Sequence, residues 1–271
     1  MTEGRARAVI APQRPTAVVS LVVQRLALVI LVVGAWEMIA RWLDARSIPS
    51  VAPVFDASLH TVGTDRFWSA LGGTMQSWAI GMLIASGVGV ALGLMIGASP
   101  LLTRVTGGMI DFLRTVPAIM LVPLVVLVLG ATAEMKILLI ALSALWPILV
   151  QSTYAIGHVD PVSRDTATVF RLGRVQRILR LYLPSALPLI ATGIRVAATV
   201  ALLISVGAEI ITSAPGIGHE ILLSQANGSP ARAFVYVLLS GALGVAINLT
   251  FLFVERRVIF WHGIQQRKAA S

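Results

Sequence analysis

The chain has 271 residues, 57% of them hydrophobic and 12% charged, with a mean hydropathy of +0.88. So few charges cannot cover a water-soluble surface, and so much hydrophobicity excludes a disordered chain. The net charge is +9 and cysteine is absent, which excludes a disulfide framework, a thiolate metal site and a cysteine nucleophile.

What remains is an all-α integral membrane protein. A helix crosses the hydrocarbon core with about 20 apolar residues. Six stretches meet or approach that length, at roughly 21–42, 78–97, 110–129, 137–156, 187–211 and 233–254. The first is too long for a cleavable signal and is followed by Arg41, Trp42 and Asp44 rather than a small-residue cleavage site. Arg25 and Glu37 lie near its ends, within snorkelling reach of the interface. The second carries Gly81, Ala85, Gly89, Gly93 and Gly97, small residues at every fourth position and hence on one helix face. Such a face lets another backbone come close, either within one bundle or along a dimer seam. The third and fourth stretches carry Pro117, Pro123 and Pro147, each of which removes a backbone donor and favours a kink. Kinks of this kind line a pathway or serve packing alone. The fifth carries Arg195 and Glu209. Charges inside spans are expensive and are functional candidates by default. The plainer readings are snorkelling for Arg195 and, for Glu209, an interfacial carboxylate bonded to a neighbouring helix. His60, His158, His219 and His262 are scattered, so no metal site is expected.

The basic residues cluster in alternate segments. Arg5, Arg7 and Arg14 precede the first span, and Arg104 follows the second. Arg164, Arg171, Arg174, Arg177 and Arg180 lie between the fourth and fifth spans, and Arg256, Arg257, Arg267 and Lys268 follow the sixth. Segments 44–77, 130–136 and 212–232 have no basic excess. Six spans with both termini in the cytoplasm put every cluster on the positive side, so the charge reports topology and not a nucleic-acid partner. No connecting segment is long enough to form its own core. The expectation is one membrane domain over 1–271, with cytoplasmic tails 1–20 and 257–271 and a cytoplasmic segment 158–184.

Segment 160–184 is too polar to span and too regular for a loop. Asp160 followed by Pro161 is a helix start, with Asp as N-cap and Pro at the first helical position. Val169, Leu172, Val175 and Ile178 or Leu179 recur at helical spacing among arginines, and Pro184 and Pro188 are expected to break the chain before the fifth span. The result is a pair of short amphipathic helices at the cytoplasmic face. It could rest on anionic lipid or stay unpartnered, but the small stretch Thr166, Ala167 and Thr168 suits a groove on another protein.

At these residues the chain resembles the permease subunits of ATP-binding-cassette importers. Their cytoplasmic motif opens Glu-Ala-Ala, continues to a Gly and ends in Leu-Pro. Counting back from Leu183 and Pro184, the opening falls on Asp165, Thr166 and Ala167, and Arg171 takes the Gly position, with Gly173 two residues later. Other segments resemble the nitrate, sulfonate and taurine branch. They include Leu113-Arg114-Thr115-Val116-Pro117, Pro123-Leu124, Trp146-Pro147-Ile148-Leu149, Gly193-Ile194-Arg195, Ala208-Glu209 and Gly216-Ile217-Gly218, and they extend over about 36–256.

The resemblance implies a type I importer architecture in a bacterial inner membrane. Two permease copies, most simply a homodimer, would form the pathway, and two ATPase subunits would dock beneath. The helix at 165–167 would transmit ATP-driven closure, and an extracytoplasmic binding protein would deliver a small solute of the nitrate, sulfonate or taurine type or a related organic molecule. ATP and magnesium would then belong to the partner. The chain itself has two lysines, Lys136 and Lys268, and neither stands in the G-x-x-x-x-G-K-[ST] setting of a phosphate loop. The coupling candidates are Asp165, Thr166, Ala167, Arg171, Gly173 and Pro184; either the turn moves two residues to Gly173 or, the preferred reading, Arg171 takes a helical or bridging conformation. Pro117, Pro123, Pro147, Arg195 and Glu209 are the pathway or gate candidates. A stand-alone secondary transporter or channel is the alternative.

Overall fold

The computed structural model describes residues 15–43, 48–157 and 159–258. All regular elements among them are helical: α1 (Pro15–Leu43), α2 (Val51–Val62), α3 (Asp65–Gly97), α4 (Pro100–Leu113), a 3₁₀ turn (Ala118–Leu121) leading into α5 (Val122–Leu129), α6 (Ala133–Gly157), α7 (Pro161–Val169), α8 (Arg174–Arg177), a π turn (Ile178–Tyr182), α9 (Leu183–Thr212), α10 (Ile217–Ala226) and α11 (Pro230–Val258). Among the described residues five stretches are long and apolar enough to cross a membrane, and α4 with α5 makes a sixth if that bent pair is one span. Of the expected tails, 15–20 form the first turns of α1 and 257–258 the last of α11; the remainder lies outside the described residues.

The centre is a sandwich of α3, α6 and α9. Small side chains set its spacing, with Ala85 of α3, Ala144 of α6 and Ala197, Ala198 and Ala201 of α9 buried beside Ile140 and Ile148. Trp78 of α3 donates its indole N–H to the Ala198 carbonyl of α9 at 2.9 Å. The glycine stripe faces α6. A β-carbon at Gly81 would strike Ile140, one at Gly93 would strike Ser152 and the Leu149 carbonyl, and one at Gly97 would strike the Thr153 backbone. Ala85 is buried on the same face. The stripe is therefore a packing face within one bundle.

Outside this centre α1 exposes an apolar surface along most of its length, as a lipid-facing helix does. It is tied at its end, where Glu37 accepts from Arg41 at 2.7 Å and from the first backbone N–H of α2, at Val51, at 2.8 Å.

Three expectations need correction. The second span begins at Asp65, not near 78, because Thr64 caps the helix by accepting from the Phe67 N–H. At 33 residues, α3 is about 50 Å long and reaches beyond the hydrocarbon core. Segment 44–77 thus holds α2 and the first turns of α3, and segment 212–232 holds α10. The third span is not one helix over 110–129. It starts at Pro100 and bends by 69° between α4 and α5. Pro117 has no N–H to continue α4 and disfavours helical backbone at Val116, while Pro123 sits harmlessly in the first turn of α5. Finally, Pro184 and Pro188 do not break the chain before the fifth span. The preceding turn widens to π geometry, with the Leu183 N–H reaching the Ile178 carbonyl, and α9 runs on through both prolines.

Candidate functional site

Three regions carry the candidate residues. The first is a cavity halfway along the bundle, open on one side, with a volume of about 650 Å³. The break between α4 and α5 contributes Arg114 to Ile119, α6 contributes Ser143, Trp146, Pro147, Val150 and Gln151, and α9 contributes Val196, Val200 and Ile204. Pro117 and Pro147 line it; Pro123, Arg195 and Glu209 do not. Pro117 makes the concavity by stopping α4. Behind Pro147, Gly193 of α9 lets the two helices close, since a β-carbon there would press on Gln151 and the Pro147 carbonyl.

The second region lies near the ends of α3, α6 and α9 remote from α7. Lys136 Nζ is 2.9 Å from Glu209 Oε1 and 2.7 Å from the Pro215 carbonyl. The two side chains are 2% and 0% exposed. Thr74 donates to both Glu209 oxygens, at 2.9 and 3.0 Å, and accepts from the Ile217 N–H at 2.9 Å. The Gly218 N–H donates to Glu209 Oε2 at 2.9 Å. A buried pair is tolerable only when its remaining hydrogen-bonding capacity is filled, and here four helices fill it. The loop must fold tightly over the carboxylate. Gly216 has φ +156°, and a β-carbon at Gly216 or Gly218 would collide with Glu209. Glu209 is therefore the centre of a clamp, away from the cavity. Lys136, expected in a neutral loop, is one turn inside α6 and completes it. Arg195 Nε lies 3.7 Å from Glu255 Oε2, joining α9 to α11.

The third region is segment 158–184. Asp160 is an N-cap, accepting from Val162 N–H at 3.3 Å and Ser163 N–H at 3.2 Å, with Pro161 in the first turn of α7. Arg164 reaches back to the Ile156 carbonyl at 2.7 Å, so the guanidinium caps the end of α6. Two expectations change here. Ala167 is 4% exposed, turned into its own chain, so the small stretch does not present Ala167 as a docking face. Phe170, 74% exposed, with Val162 and Val169, is the apolar outer surface. Arg171 is neither helical nor bridging. Its φ is +50°, the Leu172 N–H bonds the Ala167 carbonyl and the Arg171 N–H bonds the Thr168 carbonyl, both at 3.0 Å. This is a Schellman ending with arginine where glycine is usual. The turn stays at the motif's glycine position, and Gly173 has no positive φ.

Among the described residues no three His, Asp or Glu side chains converge as metal ligands would. Sequence reasoning passed over Arg114 because the third span was begun ten residues late, which put it near a span end. It passed over Thr74 because a threonine in a helix carries no signal of its own.

Residues 85–260 match the family described as the binding-protein-dependent transport system inner membrane component. A nitrate import permease of Leptolyngbya laminosa is 28% identical over 234 residues, 83% of this chain and 84% of its own. A putative aliphatic sulfonates transport permease of Escherichia coli K12 is 29% identical over 244 residues, 89% of this chain and 92% of its own. A bicarbonate transport system permease of a Synechocystis species is 28% identical over 221 residues, covering 80% and 77%. In fold the chain resembles a chain of the MetNI methionine ABC transporter (TM-score 0.57, 18% identity, 70% of this chain and 93% of that one). It also resembles one of a bacterial alginate ABC transporter solved with its periplasmic protein (TM-score 0.61, 17% identity, 89% and 95%). The match over residues 85–260 places the chain in the inner-membrane permease family of binding-protein-dependent transport systems, as a multi-pass permease subunit of an ABC importer in the bacterial cell membrane.

Proposed function

We propose that two copies of this chain face each other across the open side of the cavity and import a small anion of the nitrate, sulfonate or bicarbonate type. The observation that carries this reading is the cavity itself. It lies at mid-span, where the broken α4–α5 pair meets α6 at Pro147, and it is open on one side. The related permeases named for nitrate, aliphatic sulfonates and bicarbonate support the solute class.

The rest of the reading follows the family. The whole chain is one membrane domain with both termini in the cytoplasm, so α7 and α8 lie on the cytoplasmic side. An extracytoplasmic binding protein brings the solute. ATP and magnesium bind a separate ATPase dimer, and this chain performs no hydrolysis. α7 rests on that ATPase through Phe170 and Val169. The left-handed turn at Arg171 and the N-cap at Asp160 fix its length and direction, and the bond from Arg164 to α6 ties it to the bundle. Asp165 and Thr166 stand on its exposed surface, while Ala167 seats the helix. Gly173 then leads the chain back toward α9, which carries Pro184 in its first turn. Family membership removes the ground for a stand-alone transporter or channel.

Co-purification of the ATPase with tagged permease tests the docking surface without knowledge of the solute. Phe170→Asp is expected to lower the ATPase recovered at least about tenfold, because a charge replaces the exposed apolar side chain that the partner would bury. Arg171→Gly, which gives the turn its ordinary residue, should retain it. Wild-type recovery with Phe170→Asp would overturn the assignment.

A further inference from the structure

We propose that Arg114 is an anion-binding station at the middle of the pathway, a point of selectivity for small oxyanions. The inference rests on the pathway reading above and adds a residue and a charge sign to it.

Arg114 ends α4 and opens the break. The 14 residues of α4 precede the break and the 12 of 118–129 follow it, and it stands level with Ser143 and Pro147 of α6 and Val200 of α9. It is thus far from either interface. Its side chain is 51% exposed, beside Asp111 at 3.1 Å. A charge facing lipid at that depth costs about 3 kcal/mol or more, so such groups face water or protein. The face that carries Arg114 is therefore the face that encloses the pathway.

Arg114 is also the one charged residue lining the cavity among the described residues; Thr115, Ser143 and Gln151 are neutral and the rest of the wall is apolar. Asp111 lies one turn back on α4 and outside the wall. Asp111 offsets that charge while the two are paired; once the carboxylate swings off, a lone cation over low-dielectric walls makes the potential positive where solute must pass. The planar guanidinium fork matches two oxygens of a nitrate, carboxylate or sulfonate group. A passing oxyanion takes the place of Asp111 at Arg114 and hands it back on leaving, which keeps the station weak enough to release its ion.

The natural absence of cysteine makes a direct test available. Thr115→Cys, or Val196→Cys on the opposite wall, introduces a single thiol in the cavity. Each is treated in native membranes with a sulfonatoethyl and a trimethylammonioethyl methanethiosulfonate, with rates normalised to a small free thiol. The anionic reagent should be favoured by about tenfold, a modest share of the field of one nearby charge. That preference should vanish with Arg114→Gln and persist with Arg114→Lys. Thiols at both positions that do not react, or a preference unchanged by Arg114→Gln, would overturn the station. ATP-dependent uptake of labelled nitrate and ethanesulfonate by the wild-type complex is measured alongside. No uptake of either, with the reagent preference intact, would remove the proposed solute class and leave the station standing.

Discussion

Lys136→Met should lower the stability of the detergent-solubilised protein by about 3–5 kcal/mol, because it leaves the Glu209 carboxylate buried without its cation. The loss should appear as a large fall in melting temperature. Glu209→Gln alone should also destabilise, since the Lys136 ammonium would keep the Pro215 carbonyl but lose its counter-charge. The double variant Lys136→Met, Glu209→Gln should recover most of the loss. A glutamine oxygen can still accept from Thr74 and Gly218, and no isolated charge remains. Single variants that melt with the wild type, or a double variant as unstable as the sum of the singles, would show that the pair is not coupled. The effect should be large because the clamp joins α3, α6, α9 and the start of α10 at one point.

Gly93→Leu should cost about 3 kcal/mol, the upper end of overpacking penalties. A β-carbon there already meets the Ser152 side chain and the Leu149 carbonyl, and a backbone atom cannot rotate away. Gly87→Leu, on the same helix with nothing within 4 Å of its β-carbon, should change the melting temperature little. Equal melting of the two variants would contradict the packing assignment for the stripe.

The two regions differ in how far the sequence disclosed them. The stripe from Gly81 to Gly97 was legible because a period of four on an apolar helix has one geometric meaning. Asp160-Pro161 was legible because a cap is local chemistry. Among the prolines, Pro117 and Pro147 line the cavity and Pro123 does not, since a proline in the first turn of a helix changes nothing. Lys136 was not legible as a clamp residue: it stands where a hydropathy window ends, and a boundary error of a few residues turns an interior charge into a loop charge. Arg114 fell inside the third stretch but close to its start, because that stretch was begun ten residues late. Glu209 could be flagged as costly, yet its side-chain partners, Lys136 and Thr74, come from 73 and 135 residues away in sequence. Nothing local to Glu209 names them. The left-handed Arg171 shows the reverse case, in which local preference argued against a turn that the flanking hydrogen bonds impose.

The central claim is that this chain is the pathway of an ATP-driven importer and moves solute only with its partners. The most direct test is uptake into proteoliposomes holding the permease and its ATPase, with the binding protein outside and ATP and magnesium inside, using labelled nitrate, bicarbonate and ethanesulfonate. At least one of these anions should accumulate, and only when ATP, the ATPase and the binding protein are present together. Equal uptake by the permease alone, without ATP, would contradict the claim.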